Sequence, residues 1–180
     1  QFAQSDPINE FVFYSIDQDT NNLYLCGHRP TGYGSNDIIL CKILKSDLSW
    51  VDGVAYGGAG ADHAYGIVVD GSSLFVVGST ASEGAAGAAV VLKYNTNLVL
   101  QVRRVLDGAG GEFFTAVAID STYVYAYGNS GNDLLIAKYD KNLNIQRQIT
   151  FSTTGIDTNY RNGIAVDSNG VTILFAAAQS

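Results

Sequence analysis

Asp17, Asp19 and Asn21 occupy alternate positions in Asp17-Gln18-Asp19-Thr20-Asn21, and oxygen ligands at that spacing in a tight loop can converge on one hard cation. Calcium is the ion such a set would take. The segment lacks the glycine and the later bidentate glutamate of an EF-hand loop. The equivalent places further along read Asp70-Gly71-Ser72-Ser73, Asp120-Ser121-Thr122-Tyr123 and Asp167-Ser168-Asn169-Gly170. A solvated β-turn with two extra residues is therefore preferred to a calcium loop; no cofactor is expected, and calcium is the one alternative.

Cys26 and Cys41 fall on neighbouring predicted strands. A disulfide between them requires Cα atoms within about 7 Å and a suitable register, and it would suit an oxidising compartment. The copies favour two buried thiols acting as small apolar residues, because Val77 stands where Cys26 does, and Leu92 and Ala137 stand where Cys41 does. Zinc would need more ligands than this pair and the distant His28 and His63 supply.

Tyr33 lies in a long loop with Arg29, Asn36 and Asp37 nearby. Such a group offers a sugar or a partner protein a ring to stack on and polar atoms to bond, although an ordinary loop tyrosine is the plainer reading. Catalysis finds no comparable anchor. There is no G-x-S-x-G, neither histidine sits in a recognisable nucleophile arrangement, and no carboxylate pair stands out for glycoside hydrolysis. Lys42, Lys93 and Lys138 do recur, but repetition marks architecture, since a catalytic site needs different groups converging once. Their stems are expected to lie over apolar surface. The chain is expected not to be an enzyme.

These residues sit in a repeating frame. YSID closing at Asp17, IVVD at Asp70, AVAID at Asp120 and IAVD at Asp167 recur at intervals of 53, 50 and 47 residues, a period typical of blades or solenoid turns. After each aspartate comes a turn and a run ending in glycine: LYLCG at Gly27, LFVVG at Gly78, VYAYG at Gly128. A polar loop leads to a third run ending in Lys42, Lys93 or Lys138, and then a polar turn to Leu48, Leu98 or Leu143 opens a fourth. β-Branched and aromatic runs bounded by Gly, Asn and Asp are strand signals, because those side chains fit a pleated, half-buried surface while Gly and Asn accept tight turns. No segment carries a helical period. Residues 1–180 thus read as one all-β repeat region, with repeats at about 11–64, 65–114 and 115–161 and a partial one at 162–180.

Four-stranded antiparallel units of this length predict a β-propeller, with a β-solenoid or sandwich as the alternative. GIVVD, GIAVDSNG, VVGST and LLIAKYD resemble the repeats of secreted bacterial and phage-type β-propellers. The resemblance covers nearly the whole chain from Phe11, but its motifs are structural. It implies a propeller in an extracellular, cell-surface or virion setting and brings no catalytic residues with it. Three full copies with partial ones suggest a segment of a longer propeller, or a subunit that completes its sheets with a neighbouring chain.

Ten Lys and Arg against seventeen Asp and Glu give a net charge of −7, so there is no cationic footprint for nucleic acid or anionic membrane. The apolar runs are too short for a transmembrane helix. The expected function is a non-enzymatic extracellular structural or adhesive protein, a component of a surface filament, phage fibre or secreted assembly, self-associating or meeting protein partners through open sheet edges. The alternatives are a carbohydrate-binding propeller, and a hydrolase or lyase whose active site lies outside this segment.

Overall fold

The structure, a computed structural model, describes residues 11–30, 35–84, 87–108, 110–152, 164–167 and 172–174. All regular structure among them is β. The first sheet is β1 (Val12–Gln18), β2 (Asn22–Pro30), β3 (Asn36–Leu44) and β4 (Trp50–Tyr56). The second is β5 (Asp62–Asp70), β6 (Ser73–Thr80), β7 (Ala88–Asn95) and β8 (Leu100–Leu106). The third is β9 (Glu112–Ile119), β10 (Tyr123–Ser130), β11 (Asp133–Asp140) and β12 (Ile145–Phe151). A two-stranded sheet follows, β13 (Ile164–Val166) with β14 (Thr172–Leu174). In each sheet every strand pairs antiparallel with the next, so each is a meander in chain order.

Two irregularities recur in all three large sheets and explain two features of the repeat. The first strand carries one unpaired extra residue opposite the end of the second: Tyr14, Tyr65 and Thr115. This bulge carries a carbonyl across the second strand, where a Cβ on Gly27, Gly78 or Gly128 would overlap the carbonyl oxygen of Val12, His63 or Phe113. Each second run therefore ends in glycine. The turn before the fourth strand holds Leu48, Leu98 and Leu143 in the left-handed region, with φ of 57°, 57° and 59°. A bulky residue there is strained. In the later two turns Asn95 and Asp140 brace the backbone, their Oδ1 atoms accepting from the N–H groups of Asn97 and Val99 and of Asn142 and Asn144.

Side chains alternate across each sheet, so the middle sheet is apolar on both faces and two cores result. Tyr24, Cys26, Ile38 and Leu40 of the first sheet pack on Ala64, Leu74, Val76, Val90, Leu92 and Leu98 of the second. Phe75, Val77, Ala89 and Val91, from the other face of the second sheet, pack on Phe114, Val124, Ala126, Leu135, Ala137 and Leu143 of the third. The recurring lysines tie the layers together. Lys42 Nζ donates to the Thr96 carbonyl, 2.9 Å away in a turn of the next sheet, and Lys93 Nζ donates to that of Lys141 at 2.8 Å. Both ammonium groups also lie near rings of their own sheets, Tyr24 and Phe75.

The expected propeller is not what the sheets form. A propeller requires its blades to curl round and close, whereas here the sheets stack in an open series. Contacts join the first sheet to the second and the second to the third, β13 lies beside β9, and no substantial contact joins the first sheet to the third among the described residues. The all-β, repeated character stands, and the arrangement is of the solenoid or sandwich kind. The series stays open because, among the described residues, the outer faces of the first and third sheets share no substantial contact.

Candidate functional site

The bulges that require Gly27 and Gly78 also re-aim side chains, and at the junction of the first and second sheets they bring a set of rings together. Tyr14, the bulged residue of β1, lies 5.4 Å from the His28 ring and 5.4 Å from that of Tyr65, the bulged residue of β5. His28 and His63 meet edge to face at 4.6 Å, and His63 stacks on Tyr65 at 5.9 Å and 3°. All four are half-buried. Bulges serve this role where a sheet must direct a side chain out of its regular alternation.

Polar groups border the rings on one side. Asn36 Nδ2 stands 3.2 Å from His63 Nε2. Asp37 faces Arg29 across the β2–β3 pair. Asp37 and Asp62 converge on Gly57, where a Cβ would touch both carboxylates. Asp62 is buried and satisfied, its Oδ2 accepting from Gly58 N at 3.1 Å and from Ser82 Oγ at 2.6 Å. Asp37 Oδ1 is buried and accepts no hydrogen bond from the described residues. Burial raises the Asp37 carboxyl above its ordinary value; the Arg29 charge opposes that rise and the Asp62 charge adds to it.

The sequence-derived candidates fall as follows. Arg29 and Asn36 stand at this cluster, while Tyr33 lies outside the described residues. Asp17 and Asp19 have different partners within the protein. Asp17 Oδ2 accepts from Val69 N of the second sheet at 2.7 Å. Asp19 accepts from the backbone N–H groups of Asn21 and Asn22 and from Tyr24 Oη, each at 2.7 Å, so Asn21 contributes its backbone amide to the turn. Burial pushes the Asp19 carboxyl up, but these donors outweigh it and hold the pKa at about 2. Among the described residues no group of three or more His, Cys, Asp or Glu is placed to hold a metal ion.

Cys26 and Cys41 are free, buried thiols. Their register sets them apart: Cys26 pairs with Leu40 and Cys41 with Leu25, so the two side chains leave opposite faces of the sheet. Burial raises both thiols, Cys41 to about 12. Among the described residues no helix is long and apolar enough to cross a membrane.

Sequence reasoning did not reach Tyr14, Tyr65, His28 and His63 as a group, nor Asp62. The available signal was a break in the repeat. Thr115 and Phe113 stand where Tyr65 and His63 do, and Ser79 and Asn129 stand where His28 does. Among the described residues the group thus occurs at one junction only. Asp62 and its counterpart Glu112 show the opposite behaviour. Glu112 accepts from Gly108 N at 2.7 Å and from Ser130 Oγ at 2.9 Å, so an acid at this place clasps the glycine-rich link ahead of the second and of the third sheet.

No family model matches this chain, and no curated protein matches it. The resemblance to propeller repeats therefore has neither a matching family nor a closed ring behind it. The adhesive, filament, virion and extracellular features attached to that resemblance lose its support.

Proposed function

We propose that the rim of the first junction is a ligand site and that the protein is a binding module whose ligand is a carbohydrate. The observation that carries this reading is the orphaned Asp37 Oδ1, a buried acceptor beside a cluster of half-buried rings. A buried carboxylate oxygen without a donor is costly, and a hydroxyl brought by a ligand would satisfy it. Sugars offer hydroxyls that donate and accept around a C–H face that packs on aromatic rings. Asn36 and Arg29 add donors next to Asp37. Glycan-array screening followed by calorimetry tests the reading: binding by the unaltered protein should be lost in Asp37→Ala and in Tyr65→Ala, with circular dichroism unchanged. A protein that binds no glycan, or that binds equally well without Asp37, would overturn it.

A second reading, a structural protein acting through protein–protein contacts, is favoured by a separate observation. The stack leaves open sheet edges along β4, β8 and β12, where Trp50, Val51, Val99, Leu100, Ile145 and Phe151 are exposed. Open edges and exposed apolar side chains are surfaces on which another chain can add. Analytical ultracentrifugation across a concentration series tests it; a monomer throughout, together with no protein partner, counts against it.

A further inference from the structure

The two internal junctions define what a complete junction looks like, and among the described residues the outer faces of the stack carry two halves of it that do not meet. At each junction the forward face of one sheet supplies a lysine and an apolar surface, and the next sheet supplies a turn carbonyl and a left-handed leucine. Lys42 reaches the Thr96 carbonyl beside Leu98, and Lys93 reaches the Lys141 carbonyl beside Leu143. Leu98 and Leu143 are 3% and 0% exposed, buried in the two cores. Burial offsets the strain of their backbone.

Leu48 has the same strained conformation, yet it is 68% exposed. Ile16 repeats the discrepancy: its counterpart by register, Ile67, is 6% exposed, and Ile16 is 56% exposed. Leu23 and Leu25 are half-buried where Leu74 and Val76 are fully buried. The rear face of the first sheet is thus built as the receiving half of a junction, with the Ser46 carbonyl at the place of those of Thr96 and Lys141.

The donating half is the β11 side of the forward face of the third sheet, for on the β10 side Tyr125 and Tyr127 are already buried. Lys138 occupies the place of Lys42 and Lys93, but its ammonium lies 3.6 Å from the centre of the Tyr123 ring and reaches no carbonyl among the described residues. Leu134 and Ile136 are half-buried where Ile38, Leu40, Ala89 and Val91 are fully buried. β13 covers the β9 side of this sheet, and Lys138 lies two strands away on β11.

Resting on the structural reading above, we infer that the receiving face of one copy of this chain takes the donating face of a second copy, head to tail. Lys138 of one copy would donate to the Ser46 carbonyl of the other, and Leu48 and Ile16 would pack against Leu134 and Ile136. The two halves are different surfaces, so the contact is heterologous and continues from copy to copy.

Sedimentation and native mass spectrometry of the 180-residue protein, with variants, test this. The unaltered protein should pass from 19.1 kDa to multiples of that mass as concentration rises. Leu48→Glu blocks the receiving face at an exposed position, and Lys138→Glu blocks the donating face; each alone should stay monomeric at least tenfold higher in concentration. Mixed together they should form 1:1 dimers and nothing larger, because each retains the half the other lacks. Lys138→Met, which keeps the stem over the rings, covers a folding failure in Lys138→Glu and should weaken association in the same direction. Association that survives both blocking variants, or a mixture that does not pair, overturns the head-to-tail contact while leaving the structural reading standing. A monomer at every concentration overturns the head-to-tail contact, and overturns the structural reading as well where no other protein partner is found.

Discussion

The junction between the first and second sheets and the junction between the second and third share a skeleton and diverge at one rim. Both have a lysine crossing to a turn carbonyl, a buried leucine in a left-handed turn, a glycine under a bulge and an acid clasping the link. At the first rim the bulged residue of the following sheet is Tyr65, which joins Tyr14 and two imidazoles. At the second rim it is Thr115, which turns inward and donates its hydroxyl to the Tyr127 carbonyl at 3.3 Å. The shared parts hold the stack; the part that differs is where a ligand would find groups of mixed chemistry. On the proposed carbohydrate reading, specificity would rest on a position that the architecture leaves unconstrained.

The strongest test of the shared skeleton is the glycine beneath the bulge. Gly27→Ala, Gly78→Ala and Gly128→Ala each drive a Cβ into a backbone carbonyl, and each should cost about 3 kcal/mol or more in a denaturant titration. Equal losses at the three positions would confirm one skeleton; a tolerated Gly27→Ala would show that the first sheet is built differently. Next in size is the leucine of the turn. Leu98→Ala and Leu143→Ala should each cost about 2 to 4 kcal/mol. Leu48→Asn should instead stabilise the monomer by up to about 1 kcal/mol, since asparagine accepts the left-handed region and no burial is lost.

The crossing lysines come third. Lys93→Met and Lys42→Met remove a charge-assisted bond to a carbonyl, about 1.5 kcal/mol each, whereas Lys138→Met should leave monomer stability within about 0.5 kcal/mol. If Lys138 proved as costly as Lys93, its ammonium would be engaged within the monomer and the difference between internal and outer faces would collapse.

The sequence carried the strand order well, because each strand is written in local chemistry: β-branched runs, a glycine where the bulge intrudes, a polar turn before Leu48, Leu98 or Leu143. It carried the lysines' apolar stems but not their crossing bonds, since the Thr96 and Lys141 carbonyls lie 54 and 48 residues downstream. The closure of the stack was not legible either. Whether sheets form a ring or an open series depends on the angles between them, which no residue encodes alone, and a repeat of about fifty residues suits both. At the candidate site Arg29, Asn36 and Asp37 were visible as a polar cluster. Tyr14, Tyr65 and the two histidines were not, because a bulge shifts side-chain alternation by one and brings together residues that a regular strand would hold apart.

The aspartate alignment shows the same difficulty and yields the smallest predicted effect. By sequence Asp17 is the partner of Asp120, yet it is Asp19 that does the work of Asp120: each carboxylate accepts from two turn N–H groups and a tyrosine hydroxyl, Tyr24 in the first sheet and Tyr125 in the third. Burial opposes ionisation at both, and the donors outweigh it, so both carboxyls lie below their ordinary value, Asp19 at about 2. A carboxylate depressed on folding contributes stability that is full above its unfolded value of 3.8 and is lost as pH falls through the folded one. Discounted for its partial exposure, Asp19 should contribute about 1 kcal/mol. The second sheet makes this turn with Gly71 in the left-handed region and Phe75 in place of the tyrosine, so it has no such carboxylate–phenol bond to lose. Hydrogen exchange at the amide of Asn22 should therefore quicken between pH 3.8 and about 2, and that of Tyr123 as pH falls below 3.8, while that of Ser73 does not, after correction for intrinsic exchange. Asp19→Asn should remove the pH response in the first sheet alone. A response shared equally by all three turns would mean that acid loosens the whole stack, and the distinction between these turns would carry no energetic weight.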